Sequence, residues 1–174
     1  VAWYLISPPL KDYTTITPSL LAFVFIRNSA LVLIYYSFFH VILYVKQKQG
    51  ISFKFNPRWP NLKSKVFLFE NQTFDNVFLT FASGVSIWTL FEVVILNLAA
   101  NEHLSLISPS KQPIYFISMI CLVHLWRDLH FYLVHRLAHW RPLYKLAHHV
   151  HHKNINPGPW SGLAMHPIEH VMYF

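Results

Sequence analysis

The chain has 174 residues, of which 54% are hydrophobic, 17% aromatic and only 12% charged, against roughly a quarter charged in an ordinary globular protein. That profile is a membrane protein's. The net charge of +7 comes with no basic-aromatic recognition motif, which excludes nucleic-acid binding, and a single cysteine, Cys121, excludes a disulfide framework and a cysteine-rich zinc site.

In chain order, no short hydrophobic leader with a basic start and a small-residue cleavage site follows Val1. The first apolar run extends from Ala30 to Val45, where His40 is the one ionisable group other than tyrosine. A basic loop follows, with Lys46, Lys48, Lys54, Arg58, Lys63 and Lys65 and no acid before Glu70. The second run, Val77 to Ala100, holds only Glu92, and with their polar borders both runs approach the roughly 20 residues needed to cross the hydrocarbon layer. The loop from Asn101 to Gln112 has one basic residue, Lys111. A third run, Pro113 to Leu125, is shorter, and its helix is expected to continue past Arg127 and Asp128 into a histidine-rich segment. The expectation is an all-α, polytopic membrane protein with three hydrophobic helices and a histidine-rich helical cap. The basic loop marks the cytoplasmic side by the positive-inside rule. The third helix then returns to that side, in agreement with Arg136, Arg141, Lys145 and Lys153. The positive charge is thus mostly topological.

Nine of the twelve histidines fall between His130 and His170. Five of them form two boxes, His135-Arg-Leu-Ala-His139 and His148-His-Val-His151-His152. Imidazole is the commonest metal ligand because its neutral form offers a ring nitrogen near pH 7. Residues four apart lie on one helical face, so His135 and His139 can address one ion. In the second box His148 pairs in the same way with His152 and, at three residues, with His151, while His149 turns away. His130 lies about 140° round the helix from His135, in an outer or interfacial position. His124 shares the His135 face but lies too far along the helix to reach the same ion. His40 and His103 are isolated and read as a packed and a surface residue. Asp128, seven residues before His135, can brace a ligand imidazole or pair with Arg127 or Arg136. Tyr132 and Tyr144 flank the boxes as interface or cavity residues.

Pro157, Gly158, Pro159 and Gly162 mark a structured turn, after which His166-Pro-Ile-Glu169-His170 opens another helix with Pro167 in its first turn. That segment also fits H-x-x-E-H, in which His166 and His170 would hold zinc and Glu169 would activate water. A membrane zinc hydrolase and a non-enzymatic metal transporter or sensor are therefore the alternatives to an oxygenase. The transporter reading would place ionisable groups mid-membrane along a pathway, whereas the boxes cluster beyond a helix end.

The run Trp126-Arg-Asp-Leu-His-Phe-Tyr-Leu-Val-His135-Arg-Leu-Ala-His139, then Leu143-Tyr-Lys-Leu-Ala-His148-His-Val-His-His152, then Asn156-Pro-Gly-Pro-Trp-Ser-Gly-Leu-Ala-Met-His166-Pro-Ile-Glu169 resembles the fatty acid hydroxylase and sterol desaturase superfamily. The resemblance extends from about Asn28 to the end, and its most specific part is the conjunction of the HxxxH and HxxHH boxes. It implies a membrane-bound non-haem di-iron oxygenase that uses O2 and external electrons to hydroxylate or desaturate a sterol or fatty acyl chain. His135, His139, His148, His151 and His152 would be iron ligands, with His166, His130, Asp128, Glu169 and His170 as further ligands or outer partners. The implied partners are the lipid bilayer, the lipid substrate and an electron donor such as cytochrome b5 or a ferredoxin. The implied location is the endoplasmic reticulum or a bacterial inner membrane, with the boxes facing the cytoplasm. The look is nearest to sterol-desaturase-like members. Such proteins carry a further histidine box, so the sequence is expected to be cut at both ends and inactive alone, with the second half of its di-iron site missing. Residues 1–112 are expected to form the N-terminal membrane region and 113–174 the start of the histidine-box domain.

Overall fold

The structure is a computed structural model that describes residues 6–174. All regular elements among them are helical. A short 3-10 turn, Leu10–Tyr13, precedes α1 (Pro18–His40), which continues through one wider π turn to Val45. After the basic loop, α2 (Gln72–Leu79) passes through a π turn, Thr80–Val85, into α3 (Ser86–Ala100). Then come α4 (Pro113–Ala138), the short α5 (Arg141–Leu143), a π turn (Tyr144–His148), α6 (His149–His152), a 3-10 turn (Pro159–Leu163) and α7 (Pro167–Tyr173).

Local chemistry explains where these helices start. The Thr17 hydroxyl accepts the Leu20 N–H at 3.2 Å and Pro18 fills the first helical position, where its missing N–H costs nothing. The Asn71 side chain accepts from both Thr73 and Phe74 at the head of α2. Proline again opens α4 and α7.

Three stretches are long and apolar enough to cross a membrane, Pro18–Val45, Gln72–Ala100 and Pro113–Ala138, as the three-helix reading expected. The protein is an integral membrane protein. At about 1.5 Å per residue these stretches exceed the roughly 30 Å hydrocarbon layer, so their ends stand clear of it. The first helix begins twelve residues before the Ala30 to Val45 run and so contains Arg27 and Asn28. Both are buried because they have partners on α3. Arg27 pairs with Glu92, and the Asn28 amide donates to Glu92 Oε2 at 2.9 Å and to Thr89 at 3.2 Å. Charges in a membrane helix survive by this kind of mutual pairing.

Apolar packing flanks the polar pin on both sides. Tyr13, Leu20, Val24 and Val93 form one cluster, and Val32, Val85 and Trp160 form the other. The second cluster seats the 159–163 turn on α1 and on the continuous α2–α3 helix. Asn76 donates to Ser161 and Thr80 to the Trp160 carbonyl, which fixes that turn further. Gln72 donates to Asn154 and to the Asn156 carbonyl, while Asn156 donates to the Trp59 carbonyl. The basic loop and the segment after the second histidine box are thereby stitched to the same end of the bundle. The membrane-crossing part of α4 is open along its apolar face, and near its C-terminal end Phe131 stacks on Tyr173 of α7.

Candidate metal centre

The last turn of α4 carries His135 and His139, and the following short helical segments fold back to bring His148 and His152 against them. One ring nitrogen from each of the four lies within 4.8 Å of the others. The His135 and His139 Nε2 atoms are 3.3 Å apart, and those of His148 and His152 are 3.0 Å apart. An ion with metal–nitrogen bonds of about 2.1 Å holds neighbouring ligand nitrogens roughly 3.0–3.4 Å apart, so the two pairs already have ligand spacing. His148 is fully buried at the back of the cluster, while His139 and His152 are exposed, leaving one side open. The donor set and its spacing fit a metal ion.

Outer contacts fix the rings. Glu169 Oε1 lies 2.6 Å from His148 Nδ1 in a pair buried on both sides. Burial, then the neighbouring His152 and His139 rings, push His148 down to about 4, so it is neutral at pH 7. The tautomer that donates Nδ1–H to Glu169 turns the Nε2 lone pair into the cluster, the outer-partner arrangement that orients metal-binding histidines. Burial pushes the Glu169 carboxyl up and His151 pulls it back. Tyr173, four residues on, places its hydroxyl 3.4 Å from His135 Nδ1, which donates to it when Nε2 faces the cluster. Burial and then Glu169 push that phenol up to about 12, so it stays protonated. Tyr144 lies 5.6–6.0 Å, ring to ring, from His139, His148 and His152 and lines the cluster.

The other sequence candidates occupy distinct places. His151 stacks beside His148 at 5.8 Å and lies outside the four-nitrogen group; its Nδ1 is buried without a partner, as is Glu169 Oε2. His149 also stands outside the group. Asp128 is exposed on α4 and, among the described residues, has no hydrogen bond to a histidine. His130 stacks on Trp126, 6.2 Å away. His166 caps α7 by accepting the Ile168 N–H at 3.2 Å. Ser83 on the α2–α3 π turn lies 2.8 Å from His170 Nδ1. The side chains of His166, Glu169 and His170 thus engage the Ile168 amide, His148 and Ser83 respectively. Tyr173 was missed by sequence reasoning, and its signal is the four-residue step from Glu169 along the same helix face.

Residues 120–174 match the fatty acid hydroxylase family. The matched segment holds both histidine boxes and the helix that follows them. The chain is 44% identical over 48 residues to the Delta(7)-sterol 5(6)-desaturase ERG3B of Gibberella zeae, a stretch covering 28% of this chain and 15% of that protein. It is 46% identical over 44 residues to the Delta(7)-sterol 5(6)-desaturase erg3C of Aspergillus fumigatus, covering 25% and 14%. A Delta(7)-sterol 5(6)-desaturase of Eremothecium gossypii is 42% identical over 45 residues, covering 26% and 13%. The chain therefore covers less than a sixth of the length of each of these relatives. No solved structure matches it.

Proposed function

We propose that the protein acts in a membrane-bound, iron- and O2-dependent oxidoreductase that hydroxylates or desaturates a lipid, with a sterol as the first substrate to test. The observation that carries this reading is the convergence of His135, His139, His148 and His152, with His148 braced by Glu169, at the end of a membrane-crossing helix. The names of the three relatives support a sterol ring over an acyl chain.

His135, His139, His148 and His152 would hold one iron, and His151, with its unpartnered nitrogen, would contribute toward the second iron of a pair. Imidazole suits iron among the first-row metals. Bound iron would supply O2 activation and removal of hydrogen from an unactivated C–H bond. The protein's part is to keep the imidazoles neutral and aimed. Glu169 holds the His148 Nδ1 proton, Tyr173 receives that of His135, and Tyr144 shields the ring cluster. The exposed edges of His139 and His152 leave the approach open. The boxes would face the cytoplasm, where the basic residues offer an acidic electron donor, such as a cytochrome b5 or a ferredoxin, a complementary surface. The divergent contacts of His166, Glu169 and His170 favour this reading over a zinc hydrolase.

The test is metal analysis and sterol turnover with the full-length protein in nanodiscs with a reductant and O2. The expected result is bound iron and an O2-dependent oxidised sterol. Bound zinc with peptide cleavage, or absence of O2 consumption in an iron-loaded preparation, would refute the proposal.

A further inference from the structure

The loop after α1 has its polarity inside out. From Phe53 to Pro57 the polar residues Lys54 and Asn56 are partly buried while the apolar residues between them are exposed. Phe53 is 83% exposed and Phe55 is fully exposed, with Ile51 also exposed just before them. A water-facing loop does the reverse. The arrangement is fixed from within, because the Lys54 ammonium lies 4.7 Å from the centres of both the Tyr44 and Trp59 rings. Those two rings meet edge to face at 5.7 Å.

The contact also sets the loop's height. Tyr44 belongs to the last turn of the first membrane-crossing stretch, so Trp59 and Lys54 lie level with the end of that helix instead of standing off in water. Tryptophan and tyrosine at a helix end mark the lipid–water boundary. The Tyr44 hydroxyl donates to the Pro157 carbonyl at 2.8 Å, which ties the same level to the segment after the second histidine box. A cavity of about 530 Å³ opens here between Phe53, Phe55, Tyr44 and Pro157. In sequence the apolar tip is bracketed by Lys46 and Lys48 before it and by Arg58, Lys63 and Lys65 after it, with no acid before Glu70.

From this placement we infer that the loop between Ile51 and Pro57 is seated in the headgroup layer of an anionic lipid leaflet, with Phe53 and Phe55 at the acyl boundary and the surrounding cations on lipid phosphates and carboxylates. Interfacial segments bind by this combination of apolar burial and basic charge. An acidic protein would complement the cations but would leave the phenylalanines unexplained. The insertion needs only the membrane crossing of α1. The choice of the anionic, cytoplasmic leaflet rests on the orientation proposed above.

The experiment places an environment-sensitive fluorophore on a cysteine at Phe53→Cys or Phe55→Cys, with Cys121→Ser, in the whole chain in nanodiscs. Ser105→Cys on the opposite loop is the aqueous control. In phosphatidylserine nanodiscs the labels at 53 and 55 should emit at shorter wavelength than the label at 105, resist iodide and be quenched by lipids brominated near the headgroup. Lys46→Gln with Lys48→Gln should lessen that shielding, as should replacement of the acidic lipid by phosphatidylcholine. Iodide quenching at 53 and 55 equal to that at 105 overturns the insertion. Shielding that arises only on adding an acidic soluble protein overturns it in favour of protein docking. Equal shielding in acidic and neutral lipid overturns the anionic preference. Because nanodiscs present both faces and the readout involves no iron, none of these failures touches the proposed chemistry.

Discussion

Glu169 reaches back across 21 positions to accept the Nδ1 proton of His148 at 2.6 Å, so the helix after the second histidine box aims a ring within that box. A carboxylate in this place raises ligand basicity and holds one tautomer. Glu169→Gln keeps the shape but can present its amide nitrogen to His148 and lose the charge. The expected effect is a fall of about 10 to 100-fold in iron affinity or lipid oxidation, typical of outer-partner changes. Titrating the purified variant with iron beside the parent protein measures it. An unchanged iron affinity would remove Glu169 from this role.

Replacing a ring of the cluster is expected to do more. His148→Ala or His152→Ala should abolish oxidation and reduce bound iron, while the protein still enters the membrane. His103→Ala, on the loop at the other end of α3, should leave both unchanged. His151→Ala separates the roles within the box, because its ring lies beside the four-nitrogen group rather than in it. Loss of about half the bound iron there would assign His151 to a second ion. Metal content by mass spectrometry, together with membrane-fraction yield, reads all four variants.

The histidine cluster was legible because its chemistry repeats at helical spacing and the partners His135/His139 and His148/His152 are each four residues apart. Spacing also led to Glu169 and to His166 at a helix start. It did not reveal the Arg27 and Glu92 pair, whose members lie 65 positions apart and become neighbours only when α1 and α3 pack. The true start of α1 was hidden for the same reason, since Arg27 read alone does not belong in lipid. The π turns at Thr80–Val85 and Tyr144–His148 lack a sequence signature of their own. The second of these ends at His148, so the box starts on a widened turn and does not present all its histidines as a regular helix would.

The pin between α1 and α3 makes a stability prediction. Removing Glu92 takes away the charge opposite the buried Arg27 guanidinium, which keeps its hydrogen bonds to Ser7 and Asn28. Removing Arg27 does the same to the carboxylate, whereas removing both leaves no uncompensated charge. Glu92→Gln or Arg27→Met should each lower stability by about 3 kcal/mol or more, and the double change should recover most of the loss. Thermal unfolding in detergent measures all three. A double variant as unstable as the sum of its parents would show that the pair is not coupled.

Gly84, in the π turn between α2 and α3, couples that helix to the site. A Cβ there would lie 3.0 Å from Leu163 Cβ, 3.1 Å from the Leu163 carbonyl oxygen and 3.3 Å from His170 Nε2. Because a backbone atom is among these neighbours, the 159–163 turn and α7 must shift together. Gly84→Ala is expected to cost about 1–3 kcal/mol, the usual range for overpacking, and to weaken iron binding by moving Glu169. Leu163→Gly in the same chain removes the Cβ contact but leaves the carbonyl clash and should relieve only part of the effect. A Gly84→Ala protein with normal unfolding temperature and iron affinity would contradict this coupling.

His170 adds a pH dependence with a definite sign. Its ring is buried beside Ser83, and burial pushes it down to about 4 in the folded protein, against about 6.5 in an unfolded chain. Above pH 6.5 neither state carries the proton, and stability is independent of this group. As pH falls from 6.5 toward 4 the unfolded state takes up the proton first, so folding loses up to about 3 kcal/mol across that window. Below about 4 the loss is complete and flat. Unfolding of the metal-free protein should therefore move to lower temperature between pH 7.5 and 5. His170→Gln, which keeps a polar group near Ser83 but has no proton to gain, should show a smaller drop. His148, also held near 4, and His151, likewise lowered by burial, would contribute to the remainder in both proteins. Identical drops in the two would mean that His170 is protonated as readily inside the fold as outside it, and the buried neutral ring would have to be abandoned.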